Sequence, residues 1–288
     1  ERISPEAPVP IINYKKERNV LGGAGNVVGN LSNIGCEVYL ASIFGDDLDG
    51  NALKEIFLRL NVGSDYVITS KNTNTTKKTR FLSGGTQLLR LDNDSRGILD
   101  VDSTLMIIKV LNDIEKFDCI IISDYDKGVC DSQITKKIIE EANKKNIPIY
   151  VDPKGSNWTK YKRATCITPN TKEVEFELKK NLIEETDFEN AARKLLDRLK
   201  LKSCLITRGA RGMFFLDSQN IINQKVGKKE VFDVSGAGDT VIACLAASTA
   251  SNLSLKDSIA LSSFVSSEVV SHSGTTPFSL KMWNKNEK

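Results

Sequence analysis

The chain has 288 residues, of which 40% are hydrophobic and 27% charged, with a formal net charge of +3. That length buries a substantial core and suits one large α/β domain with a small attachment, while interspersed charges give no case for nucleic acid or a membrane surface as partner. No apolar run reaches the length of a membrane span and no signal peptide is legible; six cysteines without a C-x-x-C pair suggest a reduced, cytoplasmic protein, and the single histidine, His272, leaves zinc chemistry and a Ser-His-Asp triad little to build on.

In chain order, residues 1–10 carry Pro5, Pro8 and Pro10 and cannot form a helix. Residues 9–14 read as an extended edge strand. Gly22-Gly23-Ala24-Gly25-Asn26 then leads into Val27, Val28, Leu31 and Ile34, a helix-spaced apolar set that ends at Gly35. The spacing is not G-x-G-x-x-G, which argues against a dinucleotide fingerprint. These glycines open a helix N-terminus to a polar ligand, with Asn26 offering a donor and an acceptor; a plain capped turn accounts for them equally well. A strand over 37–44 and a helix over 49–60 follow. Short strands at 65–68, 77–82 and 87–91 form a β-rich block unlike the rest, a small sheet suited to be a lid over the main domain.

From residue 101 the pattern alternates. A helix over 101–114, a strand over 119–122, a helix over 131–145, a strand over 147–151, a strand at 166–168, a helix over 188–199 and a strand over 203–206 predict a doubly wound, mostly parallel sheet. Near-continuous apolar strands are expected where both faces of a sheet are covered. Each strand ends in a polar cluster: Ser123-Asp124-Tyr125-Asp126-Lys127-Gly128, Asp152-Pro153-Lys154-Gly155, Asn170-Thr171-Lys172-Glu173 and Thr207-Arg208-Gly209. Ligands of such sheets bind beyond the carboxyl ends of the strands.

The last cluster, Asp233-Val234-Ser235-Gly236-Ala237-Gly238-Asp239-Thr240, opens an apolar, small-residue helix. A glycine turn entering a helix offers free N–H groups and a dipole that favour an anion. A carboxylate at that end repels phosphate, and is explained if Asp239 takes a proton from a nucleophile aimed at the phosphate. From the residues alone, a first-turn carboxylate beside an ordinary turn stays equally open.

Three elements in this order, the Gly22–Asn26 turn, Asn170-x-x-Glu173 and Asp233-x-x-Gly236-Ala237-Gly238-Asp239, resemble the ribokinase-like (PfkB) family of sugar kinases over nearly the whole chain. No Walker A lysine motif and no H-R-D loop is present. Arg2-Ile3-Ser4-Pro5-Glu6, Thr79-Arg80, the run Gln87 to Asp92, Ser123-Asp124-Tyr125-x-Lys127-Gly128 and Asp152-Pro153-Lys154-Gly155 resemble the branch that phosphorylates D-glycero-β-D-manno-heptose 7-phosphate. That branch is the kinase half of bifunctional enzymes that make ADP-heptose for lipopolysaccharide.

The resemblance implies an ATP-dependent kinase in which Asp239 is the general base for the anomeric hydroxyl and Gly236, Ala237 and Gly238 form the anion hole. It implies that Glu173, with Asn170, holds Mg²⁺ through water, and that both, together with Thr171 and Lys172, contact the nucleotide. Thr207, Arg208, Gly209 and Ser263 would line that nucleotide, and Ser263 stands where relatives often carry asparagine. Gly22, Gly23, Asn26 and Asp124 would face the sugar. Lys78, Arg80, Arg90 and Lys127 are the cations available to its phosphate. Asp233 and the 273–274 region would hold a monovalent cation such as K⁺. A homodimer joined through the lid strands at 9–14 and 77–91 is expected, in one kinase domain over 1–288 without a nucleotidyltransferase domain. Relatives begin with an apolar strand upstream of the Arg2–Glu6 signature, so the chain is expected to be a shortened form of a longer protein, and in this shortened form to bind nucleotide better than sugar and to be less stable than the full-length form. A kinase for another sugar phosphate, or an idle binding module of the same fold, is the alternative.

Overall fold

The computed structural model describes residues 2–84, 86–94, 100–226, 234–271 and 277–278. In chain order the elements are β1 (Arg2–Ile3), β2 (Pro10–Ile11), α1 (Ala24–Asn33), β3 (Ser42–Gly45), α2 (Leu48–Arg59), β4 (Val67–Ser70), β5 (Lys77–Ser83) and β6 (Thr86–Asn93). They continue with α3 (Asp100–Asn112), β7 (Ile120–Ser123), α4 (Ser132–Lys144), β8 (Ile149–Asp152), β9 (Cys166–Ile167), α5 (Thr171–Leu178) and α6 (Glu185–Leu199). Last come β10 (Ser203–Thr207), β11 (Met213–Asp217), β12 (Ile221–Gln224), α7 (Ala237–Ala250) and α8 (Leu255–Val269).

The main sheet has the strand order β12-β11-β10-β9-β8-β7. Strands β7 to β10 run parallel, and β11 and β12 close one edge antiparallel. The strand period of two sorts side chains to opposite faces. Ile149, Val151, Cys204 and Ile206 enter one core with Ile139 and Ala142 of α4 and Leu195 and Leu199 of α6. Tyr150 and Leu205 enter the other with Val241, Ile242 and Leu245 of α7 and Ile259 of α8. Both faces are therefore covered, as the unbroken apolar strands require. Helix ends are cut by local chemistry: Asp131 accepts from the N–H groups of Gln133 and Ile134 to start α4, and Lys200 in the left-handed region ends α6.

A second parallel pair, β3 with β4, stands apart from this sheet. Among the described residues β3 pairs with β4 on one side and β7 with β8 on one side. The other edges of β3 and β7 line a common cleft of about 3050 Å³ that also meets α1 and α7.

The expected lid is present but differently built. β5 and β6 form an antiparallel hairpin over 77–83 and 86–93. The expected 9–14 strand is shorter, only Pro10–Ile11, and its described partner is Arg2–Ile3 rather than the hairpin. The Pro-rich loop folds back on itself, with the Ser4 N–H donating to the Val9 carbonyl at 2.9 Å, so this segment makes its own ribbon. The β11–β12 hairpin was not anticipated, although its turn is legible. Asp217 accepts from the N–H groups of Gln219 at 2.7 Å and Asn220 at 2.6 Å, the local turn that Asx residues make.

Candidate active site

Two helices begin at glycine turns and meet at one point. Gly236 caps α7 at φ 83° and Gly23 caps α1 at φ 56°, both in the left-handed range that favours glycine, and neither helix has a side-chain cap. The caps of α2, α4, α5 and α8, by contrast, are sealed by Asp47, Asp131, Asn170 and Ser254. Gly22 and Gly238 have open space where a side chain would stand, so a ligand reaches their backbone. The uncapped N–H groups of α7 form the anion-attracting end expected from the sequence.

Asp239 sits in the first turn of α7, only 4% exposed. Its carboxylate accepts two hydrogen bonds, from Asn26 Nδ2 at 2.8 Å and from the Tyr125 hydroxyl at 2.6 Å. Burial raises its pKa above the ordinary carboxylate value, and the two donors oppose the rise. A carboxylate held in one orientation, partly starved of water and facing a cleft, is the equipment of a general base. Asn26 is fixed in turn. Asn30 donates to its backbone carbonyl at 2.8 Å, while Asn30 Oδ1 accepts from the Phe278 N–H at 2.8 Å and the Thr240 hydroxyl at 3.4 Å. Buried amides with all partners supplied lock α1 against α7.

The cleft in front of Asp239 is also lined by Gly22, Gly23, Lys78, Arg80, Asp124, Tyr125, Lys127 and Gly236. The hairpin explains the cations. Lys78, Arg80, Arg90 and Asp92 share one face, because Arg80 lies opposite Arg90 and Lys78 opposite Asp92. Arg90 pairs bidentately with Asp92 at 2.8 and 3.0 Å, Lys78 lies 3.7 Å from Asp92, and Lys127 pairs with Asp94 at 2.5 Å. Among the described residues, Arg80 is the one of the four without a carboxylate partner. Two guanidiniums directly opposite each other repel unless an anion joins them.

The expected nucleotide loops are side by side, since Asn170 bridges to Thr207 and the Thr171 hydroxyl donates to the Thr207 carbonyl at 3.3 Å. Asn170 and Glu173 form a reciprocal capping box at 3.0 and 2.9 Å. The other oxygen of Glu173 accepts from Lys154 at 2.6 Å. Lys172 is exposed. Two expected side chains have other partners, and a third is buried. Asp124 is buried against Lys160 in an ion pair, accepts from the Tyr161 hydroxyl at 2.6 Å, and so anchors its loop. Arg208 turns its guanidinium inward to Glu185 at 2.7 Å, to Asn223 and to the face of Phe188. Ser263 is 3% exposed within α8. Asp233 and the 273–274 region lie outside the described residues.

The chain matches the pfkB family carbohydrate kinases over residues 2–282. It belongs to that family. It is 37% identical to the bifunctional protein HldE of Aliarcobacter butzleri over 97% of its own length and 59% of the relative's, and 37% identical to HldE of Helicobacter pylori strain G27 over 98% and 61%. The chain thus spans about three-fifths of the curated relatives it matches. Its fold is similar to phosphofructokinase-2 from Escherichia coli, crystallised in complex with potassium, with a TM-score of 0.78 at 20% identity over 96% of this chain and 91% of that one. A phosphofructokinase-like protein from Staphylococcus aureus aligns with a TM-score of 0.75 at 17% identity, over 92% and 84%. Among the described residues no helix of this carbohydrate kinase is long and apolar enough to cross a membrane.

Two residues close to Asp239 were not singled out in the sequence. Tyr125 and Asp152 lie in the strand-end clusters, which was the available signal, but their direction is a matter of tertiary packing. Asp152 ends β8, and burial together with the charges of Glu173 and Asp239 pushes its carboxyl well above the usual range. Lys154 partly offsets this.

Proposed function

We propose that this carbohydrate kinase transfers the γ-phosphoryl group of ATP to the anomeric hydroxyl of D-glycero-β-D-manno-heptose 7-phosphate, giving the 1,7-bisphosphate used in ADP-heptose and lipopolysaccharide core biosynthesis. The observation that carries the reading is the buried Asp239 carboxylate, held by two donors at the open N-terminus of α7. Asp239 takes the hydroxyl proton, the sugar oxygen attacks phosphorus, and ADP departs. The N–H groups of Gly236 and Gly238 would meet the charge that grows on the transferring group, while that of Ala237 donates to the Val234 carbonyl at 3.2 Å. Arg80, opposite Arg90 across the hairpin and lining the cleft, supplies the planar donors that suit the 7-phosphate.

The acidic groups suit a divalent cation. Asp152 is raised first by burial and then by the charges of Glu173 and Asp239, and a cation relieves that second, repulsive part. Among the described residues no three such groups cluster as direct metal ligands. Mg²⁺ there, held through Glu173 and Asp152, would neutralise charge on the triphosphate. K⁺ at the Asp233 region is part of the same proposal.

The opposite face of the hairpin exposes Phe81, Leu89 and Leu91, at 38%, 59% and 60%. An apolar hairpin face favours association with a second copy, and we propose a lid-to-lid homodimer, detectable by light scattering.

The test is ADP release and ³¹P detection of product over a panel containing heptose 7-phosphate and fructose 6-phosphate. Preference for the heptose supports the proposal, turnover of another sugar phosphate redirects it, and binding of nucleotide without turnover of any sugar favours an idle module.

A further inference from the structure

Tyr125 joins three stretches that are far apart in sequence. Its hydroxyl meets Asp239 at 2.6 Å, and its ring lies against the backbone of Gly23, where an added side-chain carbon would approach the ring to 3.3 Å. The loop that carries it is tightly specified. Asp126 and Gly128 are both at positive φ, the Asp126 N–H donates to Asp124 at 2.7 Å, and Asp124 is anchored on Lys160 and Tyr161. The residue as a whole is 38% exposed, so packing alone gives a weak reason for a tyrosine there. The hydroxyl gives a better one.

We infer that Tyr125 is a positioning residue for the base: its hydroxyl fixes the Asp239 carboxylate in orientation and keeps it anionic at the entrance of the cleft. This rests on the reading of Asp239 as general base. Three features support it. The Tyr125 phenol is itself raised, first by burial and then by the Asp239 charge, so it stays protonated and remains a donor. Asn26 takes the other carboxylate oxygen, so the two donors together fix the plane of the group. The remaining neighbours do not supply this stabilisation. Asp152, from β8, and Glu173, from α5, bring negative charge to the same space, Asp124 is committed to Lys160, and Lys154 is paired with Glu173 at 2.6 Å. Among the described side chains, Tyr125 and Asn26 are thus the ones that hold the charge of this carboxylate against its burial, alongside the N-terminus of α7.

The sign follows directly. Tyr125→Phe keeps the ring against Gly23 and removes one donor to the anion, so Asp239 becomes harder to deprotonate. Hydrogen bonds to charged groups are strong enough for a shift of about one pH unit or more. The acid limb of kcat/KM should move to higher pH by that amount, with the sugar KM on the alkaline side little changed. A second readout does not depend on turnover. In protein labelled with ¹³C at aspartate carboxyls, the Asp239 resonance is assigned by its loss in Asp239→Asn and titrated by NMR in the wild type and in Tyr125→Phe. A higher midpoint in Tyr125→Phe, with an unchanged melting temperature, is the expected result. An unmoved or lower midpoint overturns the inference, whatever happens to the rate. If the wild type turns over no sugar phosphate, the kinase reading fails while the titration still decides the role of Tyr125.

Discussion

Replacing Asp239 with asparagine is the sharpest test of the site, because the structure says what is lost and what is kept. The residue is 4% exposed and its oxygens accept from Tyr125 at 2.6 Å and Asn26 at 2.8 Å. Asparagine has the same shape but one oxygen fewer. If its oxygen keeps Tyr125, its amide nitrogen faces Asn26 Nδ2, donor against donor. A buried donor without an acceptor costs about 1–3 kcal/mol. The variant also removes a buried carboxylate whose charged form burial already disfavours. The two effects oppose, so the melting temperature is expected to move by no more than a few degrees. The rate has no such compensation. Loss of a positioned general base costs ~10²–10⁴ in kcat, about 2.7–5.4 kcal/mol of barrier. Nucleotide affinity should hold or rise, since a charge that repels phosphate has gone. The assay is ADP release at saturating substrates, with calorimetric titration of the nucleotide. Turnover above a tenth of the wild type, in a variant that still binds nucleotide, would refute the role of Asp239 as base.

Glu173→Gln removes one charge from the acidic set and weakens the link to Lys154, so the Mg²⁺ concentration for half-maximal rate should rise while sugar affinity stays near normal; an unchanged Mg²⁺ dependence removes Glu173 from the metal's surroundings. Arg80→Ala takes away the lid cation without a carboxylate partner, and KM for the sugar phosphate should rise ~10–100-fold, the worth of a charged hydrogen bond; a similar loss with a non-phosphorylated sugar would argue against phosphate recognition. Asp152→Asn should stabilise the protein. The folded carboxyl is raised above its unfolded value, so its contribution to stability is present below the ordinary carboxylate pKa and is lost as pH rises through the raised one. The variant should therefore melt higher than the wild type at pH 8 without divalent cations, with little difference at pH 4, and should need more Mg²⁺ for activity. A lower melting temperature at pH 8 would contradict the repulsion described here.

The sequence by itself determined the alternation of strands and helices, because unbroken apolar runs such as 149–151 and 203–206 can only be buried on both faces, and because local chemistry at Asp131, Asn170 and Ser254 starts helices wherever they fold. It also pointed to a candidate site, since polar clusters after parallel strands converge on one edge of the sheet. Gly23, Gly236 and Asp239 were legible because a left-handed glycine turn before a helix is a local event. What only the tertiary structure decided was direction. Arg208 stands in the loop after β10 as expected, yet its guanidinium turns to Glu185 and Phe188 because those residues of α6 pack beneath it. Asp124 holds its loop because Lys160, 36 residues further along the sequence, lands beside it. Tyr125 and Asn26 reach Asp239 across 114 and 213 residues of chain, and no spacing rule carries information over that distance. Propensity acts within a few residues; the hydrogen bonds that set the charge and orientation of Asp239 come from whichever elements the cores press together.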